Sequence, residues 1–170
     1  MLCNKCRCSV MYDAVEVAWK ILKVAKEKNI PLTNLKLQKL VYIAHGYFLG
    51  WKGKPLVQDP VEAWKYGPVI RSIYKQFKGS SDVINVTNED ILTDLDNDPD
   101  ANDCIAKVLD LYGNFTAKEL VDITHQKDTP WFDAWNNIFS IFSSRKVIDN
   151  NEIKNHYRKV INTPDQVNGL

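Results

Sequence analysis

A glycine–proline pair divides the apolar stretch Ala63–Ile70 and limits how this part of the chain can fold. Proline has no amide N–H and a fixed φ, which suits the first turn of a helix. The residues behind the pair have the apolar spacing of an amphipathic helix, at Ile70, Ile73, Tyr74 and Phe77. The pattern therefore predicts a buried segment that turns at Tyr66-Gly67 and a helix that begins at Pro68.

Two cations, Lys65 and Arg71, lie beside this predicted helix start. Because a helix start carries partial positive charge, the corner is a candidate site for an anion or a protein partner. The alternative is a buried corner with an aromatic plug, and the residue types by themselves favour it.

The length of 170 residues predicts one domain, and the 45% hydrophobic content is that of a globular protein. No apolar run approaches the roughly 20 residues that span a bilayer, and the first ten residues lack the apolar core of a secretory signal. We therefore expect no membrane partner and a cytoplasmic location. A net charge of +1 argues against a chain driven mainly by nucleic-acid binding.

The charge is unevenly distributed along the chain. From Lys5 to Lys39 there are eight basic and three acidic residues, a net charge of +5. Between Lys78 and Lys107 there are eight acidic residues and no basic one. Such a chain either pairs its own charges or presents two different surfaces to partners. A solvated surface with an acidic loop is an equally good interpretation.

Three cysteines, Cys3, Cys6 and Cys8, lie in the first ten residues. Thiolates are good zinc ligands, but a structural zinc site needs four ligands and Cys104 is far along the chain. The favoured interpretation is a disordered leader over residues 1–10. Met11 opens the first helical pattern, so a start codon there, with the leader an artefact, is a further alternative.

The remaining patterns predict a mainly α-helical, single compact domain over residues 11–162, followed by a frayed tail over residues 163–170. Helices are predicted over Tyr12–Lys28, on the apolar stripe from Ile105 to Tyr112, and after the caps or starts at Thr33, Thr116, Thr129 and Asp149. A turn is predicted over residues 50–55. Short extended segments are predicted near residues 55–64 and 82–87.

The searches for catalytic and metal motifs find none of the expected patterns. There is no nucleophile elbow, no phosphate-binding glycine loop and no His-x-x-x-His pair. The acidic run Asp94-x-Asp96-x-Asp98 lacks the glycine and the glutamate of a calcium loop. His45 lies among apolar residues and is interpreted as a core residue. We expect no enzyme activity and no cofactor, with an unrecognised hydrolase or nuclease as the weakest alternative.

Four blocks, in order, resemble the motifs of one family. They are Lys36–Gly46; Pro55-Leu56 with Glu62–Val69; Glu119-Leu120, Thr124-His125 and Pro130-Trp131; and Ile148–Tyr157. This is the Panacea domain, the antitoxin domain of SocA-like and phage-associated GepA-like proteins. The resemblance covers nearly the whole chain from Asp13 to Ile161. The leader of residues 1–10 departs from the family's pattern.

The resemblance implies a mainly helical antitoxin that neutralises a toxin by binding it. In the SocA branch it also implies an adapter that delivers the toxin to a bacterial protease. The residues expected to contact the toxin are Lys39, Trp51, Tyr66, Pro68, Arg71, His125 and Trp131. The competing hypothesis is a DNA-binding regulator of its own operon, because residues 5–39 carry a net charge of +5 and contain two predicted helices joined by a short turn. A phage-associated protein of unrelated role is a further alternative.

Overall fold

The computed structural model describes residues 11–79, 83–86, 94–137 and 146–163. Its central element is helix α2 (Asn34–Lys52), in which every residue from Lys36 to Leu49 is buried. Thr33 caps it as predicted, and its side chain accepts a hydrogen bond from the Lys36 N–H. The predicted turn at residues 50–55 begins late, because α2 continues to Lys52 and ends at Gly53 in the left-handed conformation.

Because α2 is buried along most of its length, it exposes no face that could enter a DNA groove. The helix-turn-helix interpretation of α1 (Ala14–Glu27) and α2 therefore gains no support from the fold.

Helices α1 (Ala14–Glu27), α4 (Pro99–Tyr112) and α7 (Asn150–Asn162) pack against α2, and α7 makes the most extensive of these contacts. The α2–α7 contact depends on a glycine. A Cβ atom at Gly46 would overlap the ring of the buried Tyr157. Gly46 therefore allows α7 to pack closely against α2.

His45 connects three parts of the core. Its Nδ1 accepts the Val57 N–H at 3.3 Å, so the proton is on Nε2, which donates to Asn150 Oδ1 at 3.0 Å. Burial lowers the pKa of His45 to about 4, and the ring is therefore neutral at pH 7. The interpretation of His45 as a satisfied core residue is confirmed.

Strands β1 (Val61–Trp64) and β2 (Gly67–Ile70) form a short antiparallel hairpin, in which Ala63 lies opposite Pro68. The segment 146–148 pairs with the other edge of β1, where the Ala63 N–H donates to the Lys146 carbonyl at 2.7 Å. The turn predicted at Tyr66-Gly67 is confirmed. The prediction of a helix that begins at Pro68 was wrong, because Pro68 lies in strand β2. Helix α3 (Arg71–Phe77) begins three residues later.

The remaining described elements are a 3₁₀ turn (Asp94–Asn97), α5 (Ala117–Thr124) and α6 (Pro130–Asn136). The caps predicted at Thr116, Thr129 and Asp149 are confirmed, and Thr116 forms a complete capping box with Glu119. The fold is mainly α-helical, as predicted. Within the described residues, no helix has the length and apolar character that crossing a membrane requires.

The segment predicted to be extended near residues 82–87 is described only in part. Val83–Val86 lies outside any helix or strand, although the Ile84 N–H donates to the Leu32 carbonyl at 2.9 Å. The ends of the predicted 82–87 segment are outside the described residues. So are the cysteine leader and the tail from residue 164, whose predicted states stay predictions.

Some of the opposite charges along the chain pair with each other. Lys20 contacts Asp96, and Lys52 contacts Asp100. Asp98 caps α4 and accepts the Tyr12 hydroxyl at 2.9 Å. The acidic run therefore has a structural use, in capping and in ion pairs with the basic helices.

Candidate functional site

Six of the seven expected contact residues converge where the hairpin meets α2, α3, α5 and α6. They are Lys39, Tyr66, Pro68, Arg71, His125 and Trp131. Trp51 lies elsewhere, twelve residues after Lys39 on α2 and so about 18 Å further along the helix. It is 49% exposed, and Lys52 Nζ lies 3.8 Å from its ring centre.

Side chains of α2 cover the outer edge of β2. Gln38 behaves like a neighbouring strand, because its Nε2 donates to the Ile70 carbonyl and its Oε1 accepts the Ile70 N–H at 3.0 Å. Lys39 Nζ donates to the Pro68 carbonyl at 2.9 Å. Since Pro68 has no N–H to satisfy, the edge is fully occupied by these two side chains.

Lys39 is 0% exposed, so it does not lie on the surface where the sequence placed it. Burial lowers the pKa of its ammonium group to about 7. Gly67, at φ +100°, lies directly over it, and a Cβ there would come within 2.7 Å of Lys39 Nζ. Lys39 therefore supports the turn from beneath.

His125 and Trp131 support the other side of the turn. Their rings stack at 3.6 Å, and Trp131 Nε1 donates to the Trp64 carbonyl at 2.9 Å. Burial and then the positive charge of Lys39 lower the pKa of His125. Its Nε2 is buried without a hydrogen-bond partner among the described residues. In this arrangement His125 braces the corner through its stacking on Trp131.

A buried carboxylate, missed by the sequence analysis, holds the base of the hairpin to α3. Glu62 is 2% exposed and accepts two hydrogen bonds from Arg71, at 3.2 and 2.9 Å. It also accepts the Trp64 Nε1–H at 2.8 Å. The signal was available, because residues two apart on a strand share a face and Glu62 and Trp64 have this spacing.

The outward surface of the corner is aromatic and basic. Tyr66 at the tip is 62% exposed, and Lys65 Nζ lies 5.4 Å from its ring centre. The Arg71 guanidinium lies 5.5 Å from the Trp64 ring centre, and Tyr74 meets the same ring edge-on at 5.0 Å. We call Trp64, Lys65, Tyr66, Arg71 and Tyr74 the hairpin face.

The described residues contain no group of three or more His, Cys, Asp or Glu side chains arranged to hold a metal ion. Cys104 is buried, and burial raises the pKa of its thiol to about 12. A thiol of that kind is not a nucleophile at neutral pH. What the described part of this corner offers is a rigidly held surface rather than a set of reacting groups.

Comparison with known proteins identifies the family of the chain. The family model for the SocA-like antitoxin Panacea domain matches residues 37–132, a range that contains the whole hairpin face and its supports. The chain is similar to Antitoxin SocA of Caulobacter vibrioides (strain NA1000 / CB15N), with 41% identity over 128 residues. That match covers 70% of this chain and 68% of the relative. No solved structure matches significantly.

Proposed function

The chain belongs to the Panacea-domain family of SocA-like antitoxins, and from this premise we propose that it neutralises a protein toxin by binding it through the hairpin face. Binding alone accounts for neutralisation, so the proposed mechanism has no catalytic step. The observation that carries the proposal is an exposed aromatic tip held on a rigid support.

The proposal divides the expected contact residues into two roles. Tyr66 and Arg71 reach the outer surface and contact the toxin. Lys39, His125 and Trp131 hold the turn in position from beneath and beside it. Pro68 presents its carbonyl to Lys39 and keeps the edge strand free of an unpaired N–H.

Tyr66 is the proposed anchor of the interface. Tyrosine is common among residues that dominate binding energy, because it buries a large apolar area with few rotatable bonds. At 62% exposure, most of that area is available to a partner. Truncation of such an anchor costs about 2 kcal/mol or more of binding energy. Trp51 is proposed as a separate, peripheral contact.

The test is co-expression with the protein encoded by the adjacent open reading frame, followed by co-purification. We expect the wild-type chain to restore growth and to copurify with that protein. Tyr66→Ala should lose rescue while remaining folded. Leu111→Ala, which removes another exposed apolar side chain, is the matched control and should rescue fully. A neighbour that stays toxic beside the wild-type chain contradicts the proposal.

We further propose that this chain, as a SocA-like protein, delivers the bound toxin to a protease. Toxin abundance during rescue separates the two routes. Falling toxin levels that recover in a protease-deficient host support delivery, whereas constant levels in a stable complex support sequestration alone.

A further inference from the structure

The chain segment that builds the hairpin face is strongly basic. Residues 61–78 contain one acidic residue, Glu62, and four basic residues, which are Lys65, Arg71, Lys75 and Lys78. This net charge of +3 lies within a chain whose total is +1. The single acidic side chain is buried beneath Arg71 and presents almost no surface of its own.

Helix α3 extends the hairpin face with further cations. Arg71, Tyr74 and Lys75 lie at i, i+3 and i+4 and so share one side of the helix. Ile73 and Phe77 are buried on the opposite side. The edge-on contact between Tyr74 and Trp64 makes the helix surface continuous with the hairpin.

Three cations of this segment, unlike Arg71, have no counter-charge in the part of the chain that the structure describes. Lys20 and Lys28 are paired with Asp96 and Asp110. Lys65, Lys75 and Lys78 are exposed and make no ion pair within the part of the chain that the structure describes. The positive potential of this surface is therefore available to a partner.

We propose that the hairpin face recognises an acidic surface of the toxin, on which aspartate or glutamate side chains surround an apolar recess that receives Tyr66. This inference rests on the proposed function and names the chemistry of the partner. The lysines around the tip match the carboxylates at the rim, where charge sets the association rate and its salt dependence. The aromatic tip supplies the central apolar contact.

A protein partner fits this surface better than a nucleic acid does. Its most exposed large hydrophobic side chain is a tyrosine ring at the tip of a turn, and an aromatic anchor at that position suits a recess in a folded partner. The helix that would read DNA in a helix-turn-helix is buried. DNA binding through the same lysines is the competing outcome of the experiment.

The experiment reverses two charges at the face and two elsewhere. The test variant is Lys65→Glu/Lys75→Glu, which leaves Arg71 in place because Arg71 pairs with the buried Glu62. The matched control is Lys107→Glu/Lys159→Glu, in which two exposed lysines of α4 and α7 undergo the same change in charge. Both variants are compared with wild type for thermal unfolding and for affinity to the purified neighbour-encoded protein at low and high salt.

We expect the test variant to bind at least about tenfold more weakly at 50 mM salt and the control to stay within about twofold of wild type. The difference in affinity between the test variant and wild type should become smaller at 500 mM salt, because salt screens the charges. Restored affinity when an acidic residue of the partner is changed to lysine would identify the complementary carboxylate.

Three results would overturn the inference. Equal affinity of the test variant and the control, with Tyr66→Ala still inactive, leaves the proposed function in place and removes the acidic partner. Loss of binding to a 30-base-pair DNA duplex, with toxin binding unchanged, assigns the lysines to phosphates instead. A wild-type chain that neither binds nor rescues contradicts the proposed function and this partner together.

Discussion

A lysine side chain is normally exposed to water, but that of Lys39 lies in the protein interior. It is completely buried, and the hydrogen bond that the structure shows for its Nζ goes to a carbonyl group rather than a carboxylate. A buried ammonium group without a counter-charge favours the neutral form, because desolvation penalises the charge. The support of the turn is therefore coupled to pH.

Replacing Lys39 with methionine should remove that coupling. The pKa of Lys39 is about 7 in the folded chain and near 10.5 when exposed. Between these values the unfolded chain holds a proton that the folded chain has released, so wild-type stability rises with pH. The slope from this group is at most about 1.4 kcal/mol per pH unit.

Urea unfolding at pH 7, 8 and 9 measures the effect. The free energy of unfolding of wild type, relative to Lys39→Met, should increase by more than about 1 kcal/mol across that range. The exposed Lys107→Met change is the control and should leave the pH dependence unaltered. Parallel curves for wild type and Lys39→Met would show that the ammonium stays charged in the fold.

Gly46 gives a second prediction for a single residue. An alanine in a helix interior normally stabilises it by about 1 kcal/mol relative to glycine. Here the added Cβ would overlap the Tyr157 ring, so we expect Gly46→Ala to destabilise the chain by about 2 kcal/mol or more. The double change Gly46→Ala/Tyr157→Leu should cost less than the sum of the two single changes in thermal unfolding. Additive costs would mean that the clash is relieved elsewhere.

Among the elements, the hairpin depends on helix α2 to cover one of its two edges. Two strands alone are marginal in water, and here the segment 146–148 covers one edge and α2 side chains cover the other. Gln38 is decisive, because its amide satisfies both the N–H and the carbonyl of Ile70.

Replacing Gln38 with leucine should therefore leave two buried backbone groups without partners. Each such group costs about 1–3 kcal/mol, so we expect a loss of about 2–6 kcal/mol. Gln76→Leu, on the exposed side of α3, is the control and should change stability by less than about 0.5 kcal/mol. Hydrogen exchange at the Ile70 amide should accelerate in Gln38→Leu alone; unchanged protection there would contradict this role.

Elements that depend on local signals could be predicted from the sequence. Caps such as Thr116 with Glu119 satisfy helix ends within four residues, so their pattern is visible in any short window. Pro68 is different, because proline fits both a helix start and an edge strand. The choice depends on Gln38 and Lys39, which are about thirty residues away in the chain.

The candidate site was predicted in part for the same reason. Tyr66 and Arg71 reach the surface as expected, and their neighbours were identified through the family's motifs. Burial of Lys39 could not be foreseen, because a lysine beside an apolar helix stripe is expected to bury its carbon chain and keep its ammonium group in water. Glu62 was missed because its partner, Arg71, meets it only after the chain has turned.

At the scale of the whole molecule, His45 links segments that are far apart in sequence. It joins α2 to Val57, twelve residues on, and to Asn150 at the start of α7. Because both ring nitrogens are engaged in the neutral form, protonation would break one of these links. Protonation at Nδ1 would break the link to Val57, so the packing of that segment against α2 is sensitive to acid.

We expect stability to fall between pH 6.5 and pH 4. The pKa of His45 is about 4 in the folded chain and 6.5 when exposed, so in this range only the unfolded chain takes up a proton. The loss from this group approaches about 3 kcal/mol at pH 4. His45→Gln should be less stable at pH 7 but show a flatter acid limb in urea unfolding. An equally steep limb in the variant would assign the acid sensitivity to other groups.

The hydrogen bonds by which α2 and α6 support the hairpin end on its main-chain atoms. Lys39 and Gln38 hold the carbonyls of Pro68 and Ile70, and Trp131 holds the carbonyl of Trp64. None of these contacts reads the side chains at positions 65 and 66. Substitutions at these two positions therefore need not disturb the fold, and under the proposed function they are the positions at which a change of partner can be matched.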